Sequence, residues 1–294
     1  MSINVKRLTE TAPAKVNLAL HVTGRREDGF HTLHSLCVFT ELADLVSAEP
    51  AETDALSVSG PFGDDLPNGR SNLVVRTVEK FRARFPDALE TGVALHLEKH
   101  LPVAAGLGGG SADAAAVIRL LAQLVDEPIP DADLFALAAN LGADVPMCLF
   151  SRPCEVLGIG ETLKPVNPFP ALHLVLVNPR EAVSTPEVFR RLKSRSNPAM
   201  PQLPGTMDRA AMLSLWLADT RNDLEAPARE IVPAIGGIIG AIAQTQGCAL
   251  ARMSGSGATC FGLYGSAAAA HQAAHDLREK LPGYWVAATP ILAA

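Results

Sequence analysis

The sequence predicts an α+β fold in two parts. Three observations carry the prediction. Some stretches alternate apolar and polar residues, others carry apolar residues at helical spacing, and a Pro-rich segment at 165–170 separates one such mixture from a second. At 294 residues the chain is also longer than one hydrophobic core usually serves. We expect a first domain over 1–165 and a second over 166–294.

The elements follow in order. Val16, Leu18, Leu20 and Val22 alternate with Asn17, Ala19 and His21, which predicts a strand over Lys15–Thr23. The turn signal Arg25-Arg26-Glu27-Asp28-Gly29 comes next, then a second strand at Leu36–Phe39. Leu73, Val74, Thr77, Val78 and Phe81 share one side of a helix over Asn72–Phe85. Val93, Leu95 and Leu97 alternate in a strand that runs into a glycine-rich loop. Beyond the loop, Ala114, Val117, Ile118, Leu121 and Leu124 predict a helix over Ala112–Leu124. Asp131–Leu141 is a second helix, begun by an acidic cap and stopped by Gly142. In the second part we expect a buried strand at Leu172–Val177 and helices over Gly205–Trp216 and Ile231–Gln244. Strands at Ala249–Met253 and Ala258–Tyr264 and an alanine-rich helix over Ser266–Leu281 complete it.

Composition narrows the function. Hydrophobic residues make up 48% and charged residues 19%, a globular balance. The net charge is −6 and no long basic run occurs, which argues against nucleic acid as the main partner. An acidic protein can still build a local positive site for a small anion. No apolar run approaches the roughly 20 residues of a membrane helix. Met1–Glu10 carries neither a signal-peptide core nor a transit pattern, so a cytoplasmic location is expected. Five cysteines, lacking CxxC or Cys/His zinc spacing, read as buried free thiols in a reducing compartment.

The strongest local signal is Leu101-Pro102-Val103-Ala104-Ala105-Gly106-Leu107-Gly108-Gly109-Gly110-Ser111-Ala112-Asp113. Four glycines remove side chains, so backbone N–H groups can approach an anion. The segment then opens a helix, whose first N–H groups lack partners and whose dipole favours negative charge. Strand, glycine loop and helix in that order suit a polyphosphate. Ser111 can add a hydroxyl to phosphate or to hydrated Mg²⁺. No lysine follows the glycines as a GxxxxGK[ST] loop requires, and the dinucleotide pattern GxGxxG fails at Ser111. A tight turn is the alternative, but three consecutive glycines lose backbone entropy without gaining contacts.

Three further segments are weaker alone. Lys15 and Asn17 share a strand face, which on local evidence is most simply an ordinary strand edge. Asp144, in Leu141-Gly142-Ala143-Asp144-Val145-Pro146, stands just past a helix end, where aspartate commonly forms turns. Arg252-Met253-Ser254-Gly255-Ser256-Gly257-Ala258-Thr259 reads locally as a hairpin connection.

Together the segments resemble the GHMP kinase superfamily, named for galacto-, homoserine, mevalonate and phosphomevalonate kinases. Pro102–Asp113 resembles its phosphate-binding motif and Ser254–Ala258 its C-terminal glycine-rich motif. Within the superfamily the closer resemblance is to the kinases of a cytidine-diphosphate-linked methylerythritol, in the non-mevalonate isoprenoid pathway. Ala12-Pro13-Ala14-Lys15-Val16-Asn17-Leu18 is similar to their opening motif, and Gly24-Arg25-Arg26-Glu27-Asp28-Gly29-Phe30-His31-Thr32-Leu33 to their cytidine-binding turn. Gly142–Pro146 resembles their catalytic loop and Asn222-Asp223-Leu224-Glu225 a later signature. The matches run in family order over nearly the whole chain.

The resemblance implies a two-domain α+β fold with the active site in the cleft between the halves. It implies ATP and Mg²⁺, and phosphoryl transfer to the 2-hydroxyl of the substrate. Lys15 and Asp144 become the catalytic pair, and Pro102–Ala112 the ATP-binding loop. Asn17, Phe30 and His31 become substrate contacts, with Phe30 stacking on cytosine. Phe30 replaces the tyrosine often found there, which keeps a stacking face and loses a hydroxyl. Thr185 and Phe189, in Thr185-Pro186-Glu187-Val188-Phe189, correspond to the aromatic segment on the other side of the base. The expected assembly is a monomer or weak homodimer. No side chain is assigned to Mg²⁺, Ser111 being the one candidate.

The chemistry suits those roles. An alcohol attacking phosphorus must lose a proton while negative charge spreads over the transferring group. A carboxylate can take that proton and a cation can stabilise the alkoxide. Three rivals stay open: a superfamily kinase of another alcohol, an ATP-dependent decarboxylase, and a non-catalytic nucleotide-binding regulator. The turn at Gly24–Leu33 argues against the first, and retention of Lys15, Asp144 and the full glycine loop against the last. Release of CO₂ would mark the decarboxylase.

Overall fold

The computed structural model describes residues 7–67, 69–205 and 209–293. The chain divides into two compact units: Met1–Ala14, Leu42–Val103 and Gly108–Phe150 form unit 1, and Lys15–Glu41, Ala104–Leu107 and Ser151–Ala294 form unit 2. The units therefore interleave along the chain, whereas the sequence reading divides it once, at 165/166. The interleaving arises because β1 (Leu8–Arg25) and β2 (His31–Ala51) are long strands that each contribute to both units.

In unit 1 the later part of β2 pairs antiparallel with β4 (Gly92–Glu98), in register from Leu45↔Glu98 to Ala51↔Gly92. On its other side β4 pairs in parallel with β3 (Ala55–Ser59). The α-helices of the unit's described residues are α1 (Leu73–Arg84), α2 (Gly109–Leu124), α3 (Asp131–Leu141) and α4 (Val145–Phe150). The Asn72 side chain caps α1 by accepting the Val74 N–H, and Val74, Thr77, Val78 and Phe81 form its buried face. Alanines at 112 and 114–116 let α2 lie close to α1 and α4, while Ile118, Leu120 and Leu121 fill the core. Each of those three larger side chains contributes about 1.5–3 kcal/mol by leaving water.

In unit 2 the earlier part of β2 pairs antiparallel with β5 (Cys154–Gly158), which pairs with β6 (Thr162–Pro165). A second antiparallel sheet has the order β10-β7-β9-β8, from Trp285–Pro290, His173–Asn178, Cys260–Tyr264 and Leu250–Met253. Its central strand β7 is apolar on both faces, with Leu174 through Val177 fully buried. The helices are α5 (Thr185–Arg190), α6 (Ala210–Ala218), α7 (Glu225–Ile231), α8 (Ala234–Ala243) and α9 (Ala267–Lys280), and α8 and α9 pack on this sheet.

Most expected elements are present, some with different bounds. The helix expected over Ile231–Gln244 is α8, which starts three residues later because Pro233, with no N–H to donate, stands at its N-cap and separates it from Ile231, the last residue of α7. The helix expected over Gly205–Trp216 is α6, displaced toward the C-terminus, and Thr206–Asp208 of that expectation lie outside the described residues. The helix expected from Ala112 begins at Gly109, so its first turn lies inside the glycine run. Cys37, Cys148, Cys154 and Cys260 are buried and Cys248 is half-buried, and none of the five is in a disulfide. No helix among the described residues is long and apolar enough to cross a membrane.

Candidate active site

The glycine loop divides its labour residue by residue. Gly108 caps α2 in the left-handed region, φ 66° and ψ 18°, where glycine carries no penalty. The Ala112 N–H returns to the Gly108 carbonyl, so the N–H groups of Gly109, Gly110 and Ser111 occupy the helix positions that have no intrahelical acceptor. A Cβ on Gly109 would stand 3.2 Å from Lys99 Nζ, whereas one on Gly110 would point into open space. Gly109 is therefore small for packing, and Gly110 is the residue that leaves an approach to the helix end open. Gly110→Ala should raise thermal stability slightly, because alanine is the better helix former. It should also weaken binding of a non-hydrolysable ATP analogue about tenfold, near 1.4 kcal/mol. Calorimetry on the folded variant measures both, and unchanged affinity would move the phosphates elsewhere.

Beneath this turn lies a cluster that the sequence reading missed. Lys99 Nζ donates to Asp44 Oδ2 at 2.5 Å and to Asp113 Oδ2 at 2.6 Å. All three side chains are buried. Asp44 Oδ1 accepts the N–H groups of His100 at 2.6 Å and Leu101 at 2.8 Å, the residues that lead into the loop. Among the described residues, Asp113 Oδ1 has no hydrogen-bond partner. Burial pushes the Asp113 carboxyl up to about 7, Asp44 adds to this, and Lys99 opposes it. Burial works against the Lys99 ammonium, but the two carboxylates hold its pKa above the ordinary lysine value. Lys99 and Asp44 belong to no motif, so only the fold reveals their contact with Asp113.

In unit 2, residues 104–107 of the loop pack against the β8–β9 connection. The Thr259 N–H donates to the Ala105 carbonyl at 3.1 Å, and Ser254 Oγ donates to the Gly106 carbonyl at 3.1 Å. A Cβ on Gly106 would meet the Gly257 carbonyl oxygen at 2.6 Å, so only glycine allows this approach. The Lys15 N–H donates to the Leu107 carbonyl at 2.8 Å. Asn222 Nδ2 donates to the carbonyls of Met253 and Gly255, both at 2.8 Å, and so braces the connection. The segment Ser254–Thr259 is thus a hairpin connection that also holds the glycine loop and β1 in place.

Lys15 and Asn17 lie on β1 in contact, with Nζ donating to the Asn17 carbonyl oxygen at 2.9 Å. Both are buried. Asp144 stands in unit 1 directly before α4, half-buried, with its carbonyl accepting the Cys148 N–H at 3.1 Å. Pro146 fits the first turn of α4, where no N–H is needed.

The turn at 26–30 closes by hydrogen bonds from the Arg26 N–H to the Phe30 carbonyl and from the Phe30 N–H to Asp28 Oδ1. It leaves Phe30 58% exposed, unusual for a phenylalanine. His31 stacks on Phe189 of α5, with ring centroids 5.0 Å apart and planes 20° from parallel. Phe189 therefore faces the imidazole. Thr185, at the start of α5, shares a 2.7 Å hydrogen bond with Ser256 of the β8–β9 connection. His31 is held below its ordinary pKa by burial first, then by the positive charges of Arg25 and Arg195. An accessible π face among cations suits a flat, negatively charged ligand.

Comparison with known proteins agrees with this layout. The family models described as "GHMP kinases N terminal domain" and "GHMP kinases C terminal" match residues 72–152 and 203–283. The 4-diphosphocytidyl-2-C-methyl-D-erythritol kinase of Agrobacterium fabrum is 50% identical over 289 residues, covering 95% of each chain. That of Roseobacter denitrificans is 45% identical and covers 99% of this chain and 96% of its own. A crystal structure of 4-(cytidine 5'-diphospho)-2C-methyl-D-erythritol kinase superposes with a TM-score of 0.79 at 36% identity, over 98% of this chain and 100% of that one. The homoserine kinase of Cytophaga hutchinsonii shares the fold at 16% identity, with a TM-score of 0.68 over 100% of this chain and 96% of that one. With both family models matched and half of all residues shared with relatives of the same length, the chain belongs to the GHMP kinases.

Proposed function

We propose that this chain phosphorylates the 2-hydroxyl of 4-diphosphocytidyl-2-C-methyl-D-erythritol with ATP, in the methylerythritol phosphate route to isoprenoids. The observation that carries the proposal is 50% identity, over 95% of the chain, to a kinase of that printed activity. The geometry supports it from two directions. Gly110 leaves the first turn of α2 open to phosphate, and Phe30, His31 and Phe189 offer aromatic surface beside Arg25 and Arg195 for a nucleoside diphosphate. A cavity of about 530 Å³ lined by Leu56, Val58, Leu66, Asn72 and Val75 gives the nucleoside of ATP an apolar wall in unit 1. Gly63 also lines that cavity, and the residue before it is tied to the Lys99 carbonyl through the Phe62 N–H.

In this reading Asp144 accepts the hydroxyl proton as oxygen attacks phosphorus, and Lys15 stabilises the charge that develops on that oxygen. The helix N–H groups at 109–111 hold ATP oxygens in line. Bound with ATP, Mg²⁺ would neutralise phosphate charge; it keeps most of its waters, so few protein oxygens are needed. The half-buried Ser111 hydroxyl on the first helical turn fits that demand. Cysteines at 37 and 154, opposite each other in the β2–β5 register without a disulfide, suit a reducing cytoplasm.

Incubating the protein with ATP, Mg²⁺ and a panel of alcohols, then weighing products by mass spectrometry, tests the proposal. The cytidine-linked alcohol should be phosphorylated and the bare alcohol should not. Phe30→Ala adds a sharper check. Phe30 is exposed, so the variant should stay folded. Its Michaelis constant for the cytidine substrate should rise about 5- to 100-fold, because one base-stacking contact is worth roughly 1–3 kcal/mol. That for ATP should stay within twofold. Equal affinity in the variant would remove Phe30 from the substrate site.

A further inference from the structure

Lys15 is held at one end of a one-way chain of hydrogen bonds that runs on to Ser35 and Cys37, which lie outside every motif. Lys15 Nζ donates to Asn17 Oδ1 at 2.9 Å. Asn17 Nδ2 donates to Ser35 Oγ at 2.8 Å and to Cys37 Sγ at 3.0 Å. Ser35 Oγ in turn donates to the Ala19 carbonyl at 2.6 Å. Every side chain in the chain is at most 5% exposed.

The direction follows from donor and acceptor capacity. A hydroxyl has one proton, and the Ala19 carbonyl can only accept it. Toward Asn17, Ser35 Oγ is then purely an acceptor. It therefore draws the amide NH₂ to its side, with Cys37 Sγ as a second acceptor. The amide oxygen is left facing Lys15, where it meets an ammonium. The reversed amide would set its oxygen against the acceptor Ser35 and its NH₂ against the ammonium, two repulsions in a buried site. The backbone is pinned as well, since the Asn17 N–H donates to Ser254 Oγ at 3.1 Å.

We infer that Ser35, backed by Cys37, is a positioning residue for phosphoryl transfer: it fixes the Asn17 amide and, through it, holds the Lys15 ammonium in one place. Asn17 then orients Lys15 with its whole amide engaged within the protein. The inference rests on the kinase reading given above, because it takes Lys15 as the cation of the reaction. Its test must also work without turnover.

Two readouts serve. In the kinase assay, Ser35→Ala should lower kcat on the order of 10- to 100-fold, the cost of a misplaced group. The Michaelis constant for ATP should stay within about twofold. Ser35→Ala/Cys37→Ala should lose more, and Ser35→Thr, which keeps the hydroxyl, should recover most of kcat. The second readout is the ¹H–¹⁵N signal of the Lys15 ammonium, assigned by its disappearance in Lys15→Arg. It should be sharp in the wild-type protein, shifted or broadened beyond detection in Ser35→Ala, and restored in Ser35→Thr. A folded Ser35→Ala protein with wild-type kcat, or with an unmoved Lys15 signal, overturns the inference. A merely structural serine would lower stability and leave both unchanged. Should the wild-type protein phosphorylate no alcohol, the kinase reading falls, while the ammonium signal still decides whether Ser35 holds Lys15.

Discussion

Asp144→Asn should fold and bind ATP normally while losing about 10²- to 10⁴-fold in kcat, the usual cost of removing a general base. The amide is nearly isosteric with the carboxylate, so the substitution creates no cavity. The backbone is held independently of that change: its carbonyl takes the Cys148 N–H, and α4 starts immediately after it. Unfolding temperature should therefore move little. The Michaelis constants should also stay near wild type, since proton transfer belongs to the transition state and not to the ground-state complex. Single-turnover measurements with the cytidine-linked alcohol separate the chemical step from product release. Near-normal turnover would exclude Asp144 as the base.

The sequence made legible what depends on local pattern. Alternation at Val16–Val22 and helical spacing at Leu73–Phe81 identify β1 and α1, and Asp131–Leu141 is α3 with the same bounds. Glycines single out the candidate phosphate loop because they are costly residues without a packing role visible nearby. Their individual reasons were not legible. Gly106 is small because a strand connection more than 140 residues away lies against it, and Gly109 because Lys99 lies beneath it. The Lys99 cluster joins residues 44, 99 and 113, and the Ser35 chain joins β1 to β2. Neither pattern has a period or a spacing, since each is made by neighbouring elements of the tertiary fold. Short elements also escaped: α4, α5 and β6 have too few residues for periodicity to develop. Pro233, which starts α8 three residues later than expected, is the case where a local rule was available and decided the outcome.

Lys99→Met should be the most destabilising single change near the glycine loop, at about 3–5 kcal/mol, the usual cost of removing one partner from a buried ion pair. Methionine fills similar volume, so the loss is electrostatic rather than a cavity effect. It leaves Asp44 and Asp113 buried without their cation. Asp44 keeps the His100 and Leu101 N–H groups, but Asp113 already has one oxygen without a partner. The deficit should depend on pH in a defined direction. A carboxyl whose folded pKa stands above its unfolded value binds more protons in the native state, so stability falls as pH rises between the two values. In the wild-type protein this already applies to Asp113, between an ordinary value of 3.8 and about 7. Lys99, with its pKa raised, stays charged and stabilising throughout that range, and its contribution is lost only well above neutrality. Without Lys99, which opposes the upward shift, the Asp113 carboxyl should hold its proton to higher pH. The deficit of Lys99→Met should then be largest near pH 8 and shrink toward pH 5. Lys99→Met/Asp113→Asn should regain more than half of it, because one buried charge is removed along with the cation. Urea titrations of the three proteins at pH 5, 6.5 and 8 measure this directly. A deficit that is independent of pH, or a double variant no more stable than the single one, would show that the three side chains are not acting as one charge cluster under the loop.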